Sequence, residues 1–408
     1  MQTLRPQAKH AAEMVKPTLW LLCVRALHVR ALHVRVLICA GIVGGSCTLV
    51  GCQGQAPASG SKETESIAEP EASQATAAPE QEQAAALQTA GAEVTSDDQQ
   101  LIKELAWRET PITDEIAKQV AKLAAVSKLT IYASEMSDAG WASLGQLTTI
   151  QQLDLRECPL TNEQLHAAIA GSQSALRAIR LSGKSGATTV DDAGLGKLAE
   201  CRQLKALALD HLWVGADGLA ALANEQSNIT ELYLAGTLID DQGMETVAKF
   251  PKLRKLRIAQ TSVGQPGLQQ LAKLPIEDLD ISECSQVADD AMASVGSLSK
   301  LKRLNLWRDG ITDEGVAQLA GLKSMQWLNL DNTQLSDSGL VHLKNMQELT
   351  FLHLGSTSVS DSGMPELKGL KALRDLKVTR TAVTEEGSKL IAEAIPGLDV
   401  QINYLEGQ

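Results

Sequence analysis

The chain repeats one pattern of about 24 residues from Leu101 almost to its C-terminal end. Three consecutive copies read LKRLNLWRDGITDEGVAQLAGLKS (301–324), MQWLNLDNTQLSDSGLVHLKNMQE (325–348) and LTFLHLGSTSVSDSGMPELKGLKA (349–372). The second leucine of the L-x-x-L-x-L segment, once replaced by isoleucine, recurs at intervals of 23 to 28 residues, at Leu105, Leu129, Leu153, Ile179, Leu207, Leu232, Leu256, Leu279, Leu304, Leu328, Leu352 and Leu376. A unit this short cannot bury its apolar side chains by itself, so we expect each copy to pack against its neighbours in a solenoid.

Each copy contains one segment with the periodicity of a strand and one with the periodicity of a helix. In L-x-L the two leucines point to the same face of a short strand. The segment G-[LM]-x-x-L-x-x-L has helical spacing and follows a Ser/Thr-Asp pair, as in Thr312-Asp313, where a hydroxyl and a carboxylate suit the unpaired N–H groups of a helix start. The sequence therefore predicts an α/β fold of about twelve repeats. In this right-handed superhelix, parallel strands line the concave face and short helices the convex face.

The recurring columns can be written L-x-x-L-x-L-x-x-T-x-[IVL]-[ST]-D-x-G-[LM]-x-x-L-x-x-L-x-x, and over residues 98–408 this pattern resembles the leucine-rich repeat family. The resemblance implies the same solenoid fold. Repeat proteins use this scaffold for many unrelated partners, so the resemblance does not identify a ligand. Residues from about 388 onward depart from the pattern and are expected to cap the open end of the core.

Residues 1–52 have the features of a secretory signal. Six basic residues and one acidic residue precede the apolar stretch VLICAGIVGGSCTLVG (36–51), which Cys52 follows. A charged start, an apolar middle and small residues at the cleavage site are typical of a signal peptide. The segment Leu49-Val50-Gly51-Cys52 resembles the bacterial lipobox, which implies cleavage before Cys52 and a diacylglycerol on its sulfur. An uncleaved signal anchor is the alternative, although the apolar stretch is short for a membrane span.

Residues 53–97 are expected to form a disordered acidic tether between the lipid and the repeats. Ala, Gln, Glu, Ser and Pro dominate this segment, and from 53 to 96 it carries seven glutamates against one lysine. Such a composition offers too little apolar surface to fold. Gln53 stands where the lipobox resemblance would use an aspartate for retention in the inner membrane, so the resemblance favours the outer membrane or its periplasmic face.

Composition and motifs argue against several classes of function. A net charge of −12 does not favour nucleic-acid binding, which needs a basic surface. Cys158, Cys201 and Cys284 each replace a residue of the repeat pattern, which predicts small buried side chains and neither a disulfide framework nor a metal site. The repeated S-D-S-G is better explained by helix capping than by calcium. With no catalytic motif in the sequence, we expect no enzymatic activity, no cofactor and no metal.

The residues that alternate with the strand leucines are expected to face the ligand. Trp327 and Phe351 fall at the same position of adjacent strands, about 4.8 Å apart, and Trp307 lies one strand away. Aromatic residues make up 3% of the chain, and aromatic patches ringed by polar groups mark recognition surfaces. The predicted ligand-binding residues are Trp307, Trp327, Phe351, Asn305, Asn329, Asp331 and His353. The alternative is that these large residues merely cover the sheet.

A second, weaker candidate surface contains Tyr132, Arg156 and Arg180, which are basic or aromatic residues in an acidic protein. Scattered solvated charges are the alternative there.

These observations predict a lipid-anchored, exported protein of the cell envelope that binds a protein or a glycan on its concave face without catalysis. The repeats are also similar to those of F-box substrate receptors in ubiquitin ligases, which makes a cytosolic or host-injected adaptor the first alternative. The second alternative is an enzyme that uses acids of the concave face such as Asp278, Asp280 and Asp331.

Overall fold

The strands of the repeats form one continuous sheet in chain order. The structure is a computed structural model, and it describes residues 77–225 and 228–403. Within those residues the sheet has 14 strands, all parallel to their neighbours except that the first pairs antiparallel with the second. They are β1 (Glu93–Ser96), β2 (Ile102–Trp107), β3 (Lys128–Ile131), β4 (Gln152–Asp154), β5 (Ala178–Ser182), β6 (Ala206–Asp210), β7 (Glu231–Tyr233), β8 (Lys255–Arg257), β9 (Asp278–Asp280), β10 (Arg303–Asn305), β11 (Trp327–Asn329), β12 (Phe351–His353), β13 (Asp375–Lys377) and β14 (Asp399–Gln401).

A short helix follows each strand from β2 to β13. The α-helices of the described residues are α1 (Ala77–Thr89), α2 (Asp114–Val120), α3 (Asp138–Leu144), α4 (Asn162–Ile169), α5 (Asp192–Leu198), α6 (Ala216–Glu225), α7 (Asp241–Val247), α8 (Gln265–Gln269), α9 (Asp289–Gly296), α10 (Asp313–Gln318) and α11 (Glu385–Ala394). In two of the C-terminal repeats a 3₁₀ helix takes this place, and a third 3₁₀ helix extends α8: they are Gln270–Lys273, Asp337–Leu343 and Met364–Gly369. None of the helices in the described ranges has the length and apolar character that a membrane span requires.

The predicted leucine anchors are in register and form the core. Leu304, Leu328 and Leu352 pair side by side across β10, β11 and β12, and each is completely buried. Burying such a side chain stabilises the fold by roughly 1.5–3 kcal/mol, and here each depends on the repeats before and after it for cover. The predicted leucine-rich repeat solenoid, with its strands on one face and its short helices on the other, is confirmed.

The chain turns sharply after each strand through a residue in the left-handed region. From the corner after β6 to the corner after β13 this conformation occurs once per repeat, at His211, Gly236, Gln260, Glu283, Arg308, Asn332, Ser356 and Arg380. The N–H of such a residue donates to the next repeat, as Asn332 does to the carbonyl of Gly355 at 2.8 Å and Ser356 to that of Thr379 at 2.8 Å. These corners continue the inter-repeat ladder beyond the strands and align one exposed or partly exposed residue per repeat.

The recurring aspartate joins consecutive repeats and does more than cap its own helix. Asp337 Oδ1 accepts the N–H of Ser360 at 2.7 Å, and Oδ2 accepts the Ser360 hydroxyl at 2.6 Å. Asp289 holds Thr312 of its following repeat in the same way, at 2.8 and 2.6 Å. In each pair the carboxylate therefore binds the Ser/Thr residue of the next repeat, and Thr312 is the N-cap of α10.

This contact also explains the glycine column. A Cβ added at Gly315, Gly363 or Gly387 would overlap a carboxylate oxygen of the aspartate one repeat earlier. The three columns Ser/Thr, Asp and Gly are thus one interaction that is repeated along the solenoid. Because both carboxylate oxygens already accept hydrogen bonds from the protein, the pattern has a structural explanation without calcium.

The tether prediction was wrong for residues 77–96, which form α1 and β1. Leu87 of α1 is buried, Glu80 accepts the N–H of Ile102 at 3.0 Å, and Trp107 Nε1 donates to the carbonyl of Ala90 at 3.2 Å. Few apolar residues suffice here because the first repeat already provides an apolar surface that needs cover. β1 also pairs with β2, so the edge of the sheet is a short four-residue strand with an irregular register, a form that is less prone to pair with other chains.

The C-terminal end contains more regular structure than the repeat pattern predicts. α11 begins at Glu385, and Ile391 and Ile395 are buried against the last repeat. β14 then adds a further parallel strand, in which Val400 pairs with Leu376. The signal peptide, the lipobox with Cys52 and the tether residues before 77 lie outside the described residues.

Candidate functional site

Trp327 and Phe351 stack face to face on the sheet. They are register partners on β11 and β12, and their ring centroids are 5.0 Å apart with an interplanar angle of 6°. The predicted spacing is confirmed, because side chains at one position of adjacent parallel strands are separated by the strand spacing. Both rings are only partly exposed, since each covers one face of the other.

Cationic side chains lie at both ends of this pair. The guanidinium carbon of Arg303 on β10 is 4.5 Å from the Trp327 ring centroid, and Nζ of Lys377 on β13 is 5.8 Å from that of Phe351. His353 meets Phe351 edge-on, with centroids 6.4 Å apart. Cation–π contacts at partly exposed sites contribute about 0.5–1 kcal/mol each, so the stack is held in place.

Asn305 and Asn329 belong to a hydrogen-bonded ladder across the strands. Asn329 Nδ2 donates to Asn305 Oδ1 at 2.9 Å, and Asn305 Nδ2 donates to Asp280 Oδ1 at 2.9 Å. Each amide oxygen also accepts the backbone N–H two residues on, from Trp307 and Asp331. The ladder positions these neighbours and leaves the two asparagines little capacity for a ligand.

Trp307, Asp331 and His353 line a cleft of about 360 Å³ at the carboxyl ends of β10 to β14. We call it the C-terminal cleft, and its other lining residues include Arg308, Asn332, Ser356, Lys377, Thr379, Arg380 and Gln401. The Arg308 guanidinium carbon is 5.4 Å from the Trp307 ring centroid. Of the seven predicted residues, three therefore line this cleft, two form the aromatic stack and two form the ladder.

Gly355 allows three lining residues of the C-terminal cleft, Asp331, His353 and Thr379, to lie close to its backbone. It stands where other repeats carry a side chain, and an added Cβ would lie 2.7 Å from Asp331 Oδ1, 2.9 Å from His353 Nε2 and 2.9 Å from Thr379 Oγ1. The left-handed corner residues form one wall, because Arg308, Asn332, Ser356 and Arg380 follow one another at successive repeats. Sequence reasoning missed this row, whose conformation cannot be read from its residue types.

His353 carries little positive charge at neutral pH. Its pKa is lowered chiefly by burial; the Asp331 carboxylate opposes this effect, and Lys377 adds to it. The ordinary histidine value lies near the physiological range, so a lowered pKa favours the neutral imidazole.

The acids suggested for an enzyme do not converge on one point. Asp280 on β9 binds Arg257 at 3.3 Å and accepts the Ser282 hydroxyl at 2.7 Å, so it is already engaged. Asp278 pairs with Arg303 at 3.4 Å, and its pKa is raised chiefly by burial. Asp331 lies beyond β11, two strands away from both.

One of the two arginines in the second candidate surface is neutralised. Arg156, two residues beyond β4, forms a two-pronged pair with Asp154 at the end of that strand, with N···O distances of 2.9 and 2.8 Å. Tyr132 is 42% exposed, and Arg180 lies on the exposed side of β5. A paired arginine on a solvated face is a weak basis for a binding site.

The most exposed aromatic residue lies away from the predicted site. Trp213 is 74% exposed, and Leu238 at the same position of the next repeat is 61% exposed. Both occupy the variable position of the T-x-[IVL] turn between strand and helix. Apolar residues at this variable position in two consecutive repeats were a signal that the sequence contained.

The three cysteines of the described residues are free and buried, which confirms their predicted role as small core residues. Burial raises the pKa of Cys158 and Cys284 to about 11 and that of Cys201 to about 12, so their thiols are protonated at neutral pH. Among the described residues, no group of three or more His, Cys, Asp and Glu side chains is arranged to hold a metal ion.

The fold and this ligand-accessible sheet place the chain among solenoid proteins built from leucine-rich repeats. Among solved structures it is similar to an internalin of Listeria monocytogenes, with a TM-score of 0.50 and 16% identity over 74% of this chain and 87% of that chain. It is also similar to internalin C2 of the same organism, with a TM-score of 0.36 and 21% identity over 60% of this chain and 84% of that chain. The first likeness supports the fold alone, and the second is too distant to carry an argument. No protein-family model and no curated protein matches the chain.

Proposed function

We propose that this protein is an exported, lipid-anchored receptor that binds a protein ligand on its concave sheet and catalyses no reaction. The observation that carries the proposal is the Trp327–Phe351 stack beside the C-terminal cleft. Tryptophan and arginine are the residues most enriched among those that dominate protein interfaces, and this surface holds Trp307, Trp327, Arg303 and Arg308. The sheet therefore offers anchors that are already ordered, which reduces the entropy lost on binding.

A protein ligand fits this surface better than a glycan. A sugar packs its apolar face on the face of an aromatic ring, but Arg303 and Phe351 already occupy the two faces of Trp327. The stack presents mainly ring edges and the aliphatic parts of its cations, which suit a mixed protein surface. The F-box-like adaptor is not proposed, because no feature of the described residues favours it.

The proposal predicts that mutating the aromatic stack will weaken partner capture. We expect the full chain to retain a protein from a cell-envelope extract, and the Trp327→Ala/Phe351→Ala variant to bind that partner about tenfold or more weakly. Affinity capture followed by titration with the purified partner measures this. Trp213→Ala/Leu238→Ala is the matched control, because it removes the same kind of exposed apolar area away from the stack.

Retention by the stack variant together with loss in the Trp213→Ala/Leu238→Ala variant would contradict the proposed surface. The ligand would then bind the turns between strands and helices and not the concave sheet.

Export and lipid anchoring are proposed from the N-terminal sequence. We expect cells that produce the full chain to incorporate labelled palmitate into it, and Cys52→Ser to abolish the label, because the thioether can form only on that sulfur. Fractionation of the membranes then tests the outer-membrane localisation that Gln53 favours. Labelling that persists in Cys52→Ser would rule out this lipid site, and Cys158→Ser is the control for thiol loss elsewhere.

A further inference from the structure

The C-terminal cleft has an excess of positive charge in an acidic protein. Arg308, Lys377 and Arg380 line it, whereas Asp331 is the one carboxylate among its lining residues. Burial lowers the pKa of His353, so its imidazole is neutral and adds no positive charge to the cleft. The net charge of the whole chain is −12, which makes a local excess of cations a distinctive feature.

The contacts of Arg308 and Lys377 leave room for a further anion. Arg308 pairs with Glu283 at 2.8 Å, but its side chain remains 52% exposed, and such surface pairs are weak enough for a ligand to compete. Lys377 has a cation–π contact with Phe351 at 5.8 Å, which does not neutralise its charge. The hydroxyls of Ser356 and Thr379, which also line the cleft, are additional hydrogen-bond donors.

The left-handed corner residues that form one wall of the C-terminal cleft make a row whose length fits a short extended peptide segment. Arg308 and Arg380 occupy the same corner position three repeats apart, and strands lie about 4.8 Å apart, so the row spans roughly 14 Å. An extended chain covers about 3.3 Å per residue, so about four residues fit along the row. Carboxylates pair with arginine through two parallel hydrogen bonds, and clusters of basic residues recognise acidic motifs in peptides.

We propose that the C-terminal cleft binds an acidic segment of the protein ligand, with carboxylate side chains placed beside Arg308 and Lys377. This inference rests on the proposed function, and it adds the chemistry of the ligand. Gly355 keeps the lining in place, because a side chain there would overlap Asp331, His353 and Thr379 and displace them.

The test uses a defined probe. The full chain is titrated into a fluorescein-labelled hexaglutamate peptide with blocked ends, and binding is followed by fluorescence anisotropy. We expect saturable binding, no binding of the matching hexaglutamine peptide, and about tenfold weaker binding of hexaglutamate by Arg308→Gln/Lys377→Gln. Lys118→Gln/Lys197→Gln is the matched control, because it removes two exposed cations from helices α2 and α5, and it should bind like the parent.

Three outcomes would overturn the inference. Equal weakening by both double variants would show unspecific attraction, and equal binding of hexaglutamine would show that charge is not recognised. Tighter binding of an oligogalacturonate than of hexaglutamate, lost in the same cleft variant, would assign the cleft to an acidic glycan. Thermal melts of the variants accompany each titration, so that loss of folding is recognised.

Failure of this inference can be separated from failure of the proposed function. A partner whose binding depends on Trp327 and Phe351, but which binds Arg308→Gln/Lys377→Gln normally, would support the proposed receptor function. It would contradict the inference that the cleft binds an acidic segment. Specific binding of hexaglutamate, without any partner whose binding depends on the stack, would support the acidic preference of the cleft and contradict the proposed receptor function.

Discussion

Gly387→Ala is expected to lower the free energy of unfolding by about 3 kcal/mol. The three atoms nearest to the added Cβ all belong to Asp361 of the preceding repeat, and its Oδ1 would overlap the new methyl group. That carboxylate cannot simply turn away, because it accepts the N–H of Thr384 at 2.8 Å and its hydroxyl at 2.7 Å. Urea denaturation of the full chain measures the loss. Gly321→Ala is the control, since no atom lies within 4 Å of its added Cβ.

A double-mutant cycle tests whether Asp361 causes this cost. Asp361→Ala alone should cost about 2 kcal/mol, because the donors of Thr384 lose a charged acceptor. In the Asp361→Ala background, Gly387→Ala should cost at least about 1 kcal/mol less than it does alone, since the carboxylate that blocks the Cβ is gone. Additive effects would show that the glycine column has a cause other than the aspartate of the preceding repeat.

Asp309→Asn is expected to raise the free energy of unfolding by roughly 3–6 kcal/mol at pH values of about 8 and above. Asp309 is 3% exposed and occupies a column where other repeats carry threonine. Its Oδ1 accepts the N–H of Cys284 at 3.0 Å, whereas Oδ2 is buried without a hydrogen-bond partner among the described residues. Asparagine keeps an acceptor for Cys284 and removes the buried charge.

The pH dependence of the free energy of unfolding shows whether ionisation of Asp309 causes this effect. Burial raises the pKa of Asp309 from 3.8 to about 8, so folding takes up a proton at any pH between these values. The contribution of this carboxyl to stability is therefore complete below 3.8 and is lost progressively as the pH rises to about 8. The slope is at most about 1.4 kcal/mol per pH unit, and it should be absent in Asp309→Asn.

Thr333→Asp is the reciprocal variant. Thr333 lies in the same column one repeat later, is buried, and donates its hydroxyl to the carbonyl of Leu330 at 2.7 Å. An aspartate there should destabilise the protein and add a second loss of stability as the pH rises. If Asp309→Asn instead lowers stability at high pH and leaves the slope unchanged, Asp309 is ionised in the fold and its charge is needed.

The repeats were predictable because the residue type that recurs in each column of the pattern indicates whether that position is buried or exposed. Leu328 and Leu352 had to face a common interior, and Trp327 and Phe351 had to be neighbours, once the period was known. The helix and strand at residues 77–96 were not predictable from composition. Leu87 and Ala92 are too few to form a core, and they are buried only because the first repeat provides the surface they cover.

The candidate site was predictable only in part. Sequence placed Asn305, Asn329, Trp307 and His353 on one surface, but side-chain hydrogen bonds divide them between a ladder and a cleft. Arg308 and Arg380 were not recognised as part of the site, because they lie one residue beyond the strand columns. Their direction depends on a left-handed corner that residue type does not specify.

The sequence by itself therefore determined the solenoid, the register of its strands, the buried cysteines and the position of the aromatic stack. It could do so because the repeated leucines of each strand, with a period of about 24 residues, must all face one core. The residues that alternate with them then face the opposite side of the sheet. Only the tertiary structure decided what the polar columns do. Asp361 blocks a methyl group at Gly387, and the absence of a side chain at Gly355 lets Asp331 and His353 lie close to its backbone. Both are contacts between residues of different repeats, so they form only when the repeats have stacked.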